Sequence, residues 1–238
     1  MSVSYNSILA DLESQINGLV ATTPSLTDST YNLVAAGTST VADRTSTDWS
    51  LAQQQNAIFD AEYEIITEIC FNSRHPERAK FGSAVSSPLT SGSTIPVVDS
   101  GGSTPYVGVF DYAYETGTAT PFTEKPMQAV QWAIANAGSA FSSPRVLVYC
   151  IAGGIVLHNS STTLVLTGPA VARGTSFTGN IRPYDSHRAA IVAGALIKLL
   201  PKEGAWPEAF KMNADYYTAH IEQIRGVGQQ VAVPYTAR

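Results

Sequence analysis

The stretch from Asp48 to Ser73, DWSLAQQQNAIFDAEYEIITEICFNS, decides how the chain is read. Leu51, Ile58, Phe59, Ile65, Ile66 and Ile69 fall on one face at helical spacing. Asp48 stands where an N-cap belongs, and Asn72-Ser73 and His75-Pro76 close the run, because the residue before a proline leaves the α region. Asp60, Glu62, Glu64 and Glu68 then line the opposite side, read as a solvated face. An amphipathic helix of this length needs other helices to cover it, and the rest of the sequence supplies them.

Working outward, Ile8, Leu9, Leu12, Ile16, Leu19 and Val20 mark a helix near the start, with Ser4 or Asn6 as its cap. Residues 21–47, rich in Thr, Ser, Asp and Gly, read as a long connection. Toward the other end, Asp185 or Ser186 opens a helix faced by Val192, Ala195, Leu196 and Leu199, and Pro201 and Gly204 stop it. Pro207 opens a last helix with the stripe Phe210, Ala214, Tyr217, Ile221 and Ile224, ending at Gly226.

Between these flanks the pattern changes. Of the chain's charged side chains, 81–181 holds only Asp99, Asp111, Glu115, Glu124, Lys125, Arg145 and Arg173. Ile95–Val98, Tyr106–Tyr114, Arg145–Ile151, Ile155–His158 and Thr163–Thr167 read as strands, with Asn159-Ser160-Ser161 as a hairpin turn and Pro126–Ile134 as one short helix. The expected fold is therefore α+β: N- and C-terminal helices forming a helical bundle, with a β-rich domain inserted between them. The expected boundaries are 1–80 for the first helices, 81–183 for the insertion, 184–226 for the last helices and 227–238 for an extended tail.

Composition narrows function. The chain has 238 residues, net charge −5 and only 14% charged residues. That balance argues against wrapping nucleic acid through a basic surface. No run is long and apolar enough to cross a membrane, and the opening residues lack the charged and apolar regions of a signal peptide. Cys70 and Cys150 form no CxxC and are expected to be buried, reduced thiols, with a single disulfide between them as the alternative. His75, His158, His187 and His220 fall in neither HxH nor HExxH, and each reads as structural or, for His75, as an exposed residue at a helix exit. Gly174-Thr-Ser176-Phe-Thr-Gly179 misses the nucleophile-elbow spacing by one residue. No Walker A or GxGxxG motif occurs. The sequence thus offers no catalytic residue, no metal ligand set and no cofactor site, and the chain is read as not an enzyme. A cell-wall hydrolase is the weakest alternative.

Three stretches carry a resemblance. Asp48-Trp49-Ser50-Leu51 leads into the helix through Asn56–Ile66. Ser186–Leu200 is a helix rich in small residues. Lys202-Glu203-Gly204 leads into Glu208–Tyr217. Together they resemble the helices of head-to-tail adaptor (connector) proteins of tailed bacteriophages. The resemblance covers the helical flanks and not the middle of the chain.

The resemblance implies a structural virion protein in the neck or tail, assembled in the host cytoplasm. It implies a homo-oligomeric ring, usually a dodecamer, between the portal protein and a downstream tail protein (nozzle, tail tube or fibre). DNA would pass through the ring's channel without specific binding, and no membrane is involved. C-terminal segments of such proteins reach the portal, which assigns portal docking here to Val231, Val233, Pro234, Tyr235 and Arg238. The alternative is another tail component, a nozzle or host-surface binding protein, whose β-rich region is the functional part.

Overall fold

The computed structural model describes residues 3–21, 49–81, 84–85, 104–107, 112–115, 123–124, 146–150, 155–158, 164–200 and 206–226. The chain divides into two compact units, Met1–Glu68 with Arg173–Arg238, and Ile69–Ala172.

The first unit holds helix α1 (Tyr5–Ala21), most of α2 (Leu51–Phe71), α3 (Arg188–Leu199) and α4 (Pro207–Gly226). Local chemistry sets each start. The Ser4 carbonyl accepts from Ile8 N–H at 3.2 Å, and its Oγ accepts from Ser7 N–H at 3.2 Å, which caps α1. Ser50 and Gln53 form a capping box on α2. Gln53 N–H donates to Ser50 Oγ at 3.2 Å, and Ser50 N–H donates to Gln53 Oε1 at 2.7 Å. The cap is therefore Ser50 and not Asp48, which lies outside the described residues. A 3-10 turn, Asp185–His187, leads into α3, whose first turn has no side-chain cap. The Asp185 carboxylate instead accepts from Val3 N–H at 3.1 Å. Pro207 sits at the first position of α4, where a missing N–H costs nothing.

Helix α3 is the centre of this unit. Ala190 through Leu196 are all buried, so it is covered on every side and not along one stripe. It packs against α1 and, most extensively, against α4. Gly194 explains the close approach. A Cβ there would meet the Tyr217 ring of α4 at 2.7 Å and Ala61 Cβ of α2 at 2.8 Å. Three helices thus cross where one residue has no side chain and another has only a methyl. Ile8, Leu12, Ile58, Ile65, Ile66, Ile191 and Leu196 fill the core around that crossing. The C-terminal carbonyl of Leu199 accepts from Trp49 Nε1–H at 3.1 Å, and the Trp49 and Trp206 rings meet at 5.8 Å.

In the second unit, α2 ends as expected. Arg74 N–H donates to Asn72 Oδ1 at 3.1 Å, and a 3-10 turn follows over Pro76–Phe81. His75 is buried, not exposed, and its Nδ1 accepts from Glu77 N–H at 3.2 Å. Cys70 is a buried free thiol.

The strands here are short: β1 (Ala84–Val85), β2 (Tyr112–Glu115), β3 (Thr123–Glu124), β4 (Val146–Cys150), β5 (Ile155–His158) and β6 (Leu164–Gly168). In one ladder β6 lies antiparallel between β1 and β2, with Tyr112 opposite Thr167 and Glu115 opposite Leu164. In the other, β4 lies between parallel β3 and antiparallel β5, with Leu147 opposite His158.

These findings correct the expected fold class. The described residues are mostly helical and do not form a β-rich inserted domain. The physical reason is that alternation fixes an extended backbone over a few residues, whereas a β domain needs long ladders between segments far apart in sequence. Glycines such as Gly108, Gly153 and Gly154 keep the apolar runs short. The expected hairpin also fails, because β5 and β6 pair in different ladders and not with each other. The expected strand at Ile95–Val98 and the helix at Pro126–Ile134 lie outside the described residues.

The helix crossing makes a prediction. Gly194→Ala is expected to destabilise the protein by about 1–3 kcal/mol in urea unfolding, because the new methyl meets a pinned ring and a core methyl. Alanine's better helix propensity, about 1 kcal/mol, offsets only part of this. Adding Ala61→Gly should recover some of the loss.

Candidate functional site

The carboxylates of α2 are the densest set of titratable groups in the helical unit. The sequence places them on a solvated face, which holds for the exposed Glu64 and the half-buried Asp60 and Glu68 but not for Glu62. Glu62 is fully buried. The Tyr5 hydroxyl lies 2.9 Å from each of its oxygens. Arg182 donates its backbone N–H to Oε1 at 2.8 Å, and its Nε and Nη2 to Oε2 at 3.1 and 2.6 Å. Burial alone would lower the Arg182 pKa, but the hydrogen bond and charge of Glu62 more than reverse this and raise it. Burial, reinforced by Glu62's charge, pushes the Tyr5 hydroxyl well above its usual value, so this phenol stays neutral.

The neighbouring carboxylates follow the same plan. Asp60 pairs with Arg173, whose guanidinium also lies over the Phe59 ring and donates to the Asn56 carbonyl at 3.1 Å. Glu64 accepts from Lys198 Nζ at 2.5 Å and from the Tyr217 hydroxyl at 2.9 Å. Burial, then the charge of Glu64, raises the Tyr217 pKa far above the ordinary phenol range. Glu68 takes two hydrogen bonds from Arg225, at 2.7 and 2.5 Å. Asp11 of α1 pairs with Arg188 at 2.6 Å. Each of these carboxylates is thus held by a cationic partner from elsewhere in the chain, an arrangement that clamps the helices together.

The near-elbow sequence also has a structural part. Ser176 Oγ and Thr178 Oγ1 lie 3.0 Å apart. Phe177 joins Tyr5 and Phe59 in an aromatic cluster with centroids 5.2 to 5.6 Å apart. A Cβ on Gly174 would meet the Phe59 ring at 2.5 Å, so the segment lies flat on α2 only as glycine. Gly179 turns with φ +86, and its carbonyl accepts from Tyr5 N–H at 3.1 Å. The segment fastens the return of the chain onto α1 and α2.

Sequence spacing separates His187 and His220, and the structure brings them together. His187 Nδ1 and His220 Nε2 lie 2.8 Å apart, with the rings nearly perpendicular at 83°. Of the other sequence candidates, Tyr106 is buried in a bridge to Ala170. The docking candidates Val231, Val233, Pro234, Tyr235 and Arg238 lie outside the described residues. Among the described residues, no group of three or more His, Cys, Asp or Glu is placed to hold a metal ion. Nor is any described helix long and apolar enough to cross a membrane.

No protein-family model matches the chain, and no curated protein matches it.

Two predictions follow the charge geometry. Glu62→Gln should cost about 1–3 kcal/mol in equilibrium unfolding, since it removes the counter-charge of a half-buried arginine and turns an amide NH2 toward donors that need an acceptor. The exposed Arg225→Ala should cost less than about 1 kcal/mol. The phenols set an alkaline limit. An unfolded tyrosine ionises near pH 10, while Tyr5 and Tyr217 are held neutral above it. Their contribution to stability is therefore intact below that pH and is lost as pH rises further. In a phenolate absorbance titration, two of the 11 tyrosines should ionise only as the helical unit unfolds. Tyr217→Phe should remove one of these late groups.

Proposed function

We propose that this chain is a structural protein of a tailed-phage virion, a head-to-tail adaptor that forms a ring between the portal and the tail. The observation that carries the reading is where the three resembling stretches fall. They supply α2, α3 and α4, and all three meet at Ala61, Gly194 and Tyr217. A resemblance scattered over unrelated surfaces would carry little weight, whereas this one coincides with a single packed crossing.

Two further features support it. Helix α4 turns Met212 and Tyr216, one turn apart, outward at 67% and 49% exposure. Large apolar side chains at solvent suit contact between neighbours in a ring, where head-to-tail interfaces close on themselves. The net charge of −5 suits a channel that DNA slides through without adhering. On this reading the segment 227–238 docks on the portal, and the ring presents its other face to a nozzle, tail-tube or fibre protein. The protein belongs to the virion neck and assembles in the host cytoplasm.

The test is the mass of the purified chain with and without a portal ring, by native mass spectrometry. A 25.3 kDa chain that joins the portal in fixed stoichiometry, near twelve copies, is the expected result. Removal of 227–238 should abolish that assembly while leaving the helical circular dichroism intact. A stable trimer that ignores the portal would overturn the reading and favour a host-binding tail component.

A further inference from the structure

Two exposed surfaces of this chain complement each other in shape and charge. The first is on α4. A groove of about 480 Å³ opens at its first turn, lined by Leu19 of α1 and by Trp206, Pro207, Ala209 and Met212, with Glu208 beside them. Met212, Tyr216, Ala219 and Gln223 continue from it as an exposed stripe, three and four residues apart along the helix. Glu208, Asp215 and Glu222 run beside that stripe at a spacing of seven, all exposed. Lys211 lies on the far side of that row, and Arg225 is already held by Glu68, so acidic charge is in excess along this face. The second surface closes α2. Phe71, the last residue of that helix, is 41% exposed. Arg74 and Lys80 are exposed on the turns that follow, and Glu77, the one acid in that stretch, is buried. This surface is apolar and basic where the first is apolar and acidic.

We propose that the two surfaces pair between copies of this chain: Phe71 of one copy enters the α4 groove of the next, and Arg74 and Lys80 meet Glu208 and Asp215. The inference rests on the ring reading, to which it adds the residues on both sides of the joint. An aromatic anchor in an apolar groove, rimmed by charge pairs, is the usual centre of a protein contact. The Phe71 ring gains aromatic contact with Trp206 and sulfur contact with Met212. Pairing of α4 with its own copy is disfavoured by the same charges. An antiparallel pair of α4 helices sets the row of Glu208, Asp215 and Glu222 against itself, and a parallel pair sets it against Trp206, Asn213 and His220, which supply no lysine or arginine. A contact between two different surfaces is head-to-tail, the kind that a ring repeats and a two-fold dimer lacks.

The test follows the full chain by sedimentation velocity from about 1 μM to about 1 mM, with circular dichroism as the check on folding. The unaltered chain should associate beyond two copies, and more weakly as salt rises. Phe71→Ala should weaken association at least about tenfold. Two charge reversals then identify the partners. Glu208→Lys with Asp215→Lys should abolish self-association, and so should Arg74→Glu with Lys80→Glu, because each leaves both surfaces with the same sign. An equal mixture of the two reversed chains should associate again, since every surface then meets its complement. An unaltered chain that stays monomeric to about 1 mM, one that stops at a dimer, a reversed chain that associates as before, or a mixture that does not recover would each overturn the contact. Adding the portal separates this result from the adaptor reading. A chain that associates as described but never joins the portal defeats the adaptor reading alone. A reversed chain that still forms the portal-bound ring as the unaltered chain does defeats the contact alone.

Discussion

The helical unit depends on one buried carboxylate. Glu62 sits in the middle of α2 with no solvent contact, and its anion is accommodated only because three elements converge on it. Tyr5 opens α1, and Arg182 lies on the segment that returns from the second unit. A buried charge pair is weak evidence of net stability, because desolvation consumes most of the attraction. Its effect is on uniqueness. Any arrangement that separates Tyr5, Glu62 and Arg182 leaves an uncompensated charge in the core, so alternatives to the native packing are penalised more than the native one is rewarded.

The same logic extends along α2. Asp60, Glu64 and Glu68 bind Arg173, Lys198 and Arg225, and each partner lies more than a hundred residues later in the chain. Local helix formation gains nothing from such pairs, since i,i+4 partners are absent from them. They form only after the chain has closed on itself. The aromatic cluster of Tyr5, Phe59 and Phe177 and the crossing at Gly194 supply the apolar burial that makes closure favourable. The charges then fix the register in which it closes.

This explains what the sequence made legible. Helical spacing of Ile8, Leu12, Ile58, Ile65 and Ile66 located α1 and α2, and Asn72, Pro207 and Gly226 marked ends correctly, because these signals are local. Glu62 was misplaced although its position was legible: on a helical wheel it lies about 200° from both Asp60 and Glu64 and falls among Ile58, Ile65 and Ile69 on the apolar face. Its partner Arg182 was hidden, because nothing local announces an arginine 120 residues away. The histidine pair was hidden in the same way, since 187 and 220 belong to different helices and no ligand spacing joins them. The β-rich insertion failed because alternation reports an extended backbone but not its partners. The strands at Leu164–Gly168 and, overlapping Tyr106–Tyr114, at Tyr112–Glu115 were visible, yet their pairing and the short partner Ala84–Val85 were not. The docking residues of the tail rest on resemblance alone.

A chain with so few charges would be expected to keep them at its surface for solubility. Here the ion pairs described above, all but the one at Glu62 partly exposed on both partners, also tie early helices to late segments. Ring closure multiplies any error in subunit shape around the circle, because every copy repeats the same interface. A subunit whose helices are fixed by paired charges and a glycine crossing carries little shape error into that repeat. Helices held in one geometry by paired charges and a glycine crossing are what the ring proposed above would need of its subunit.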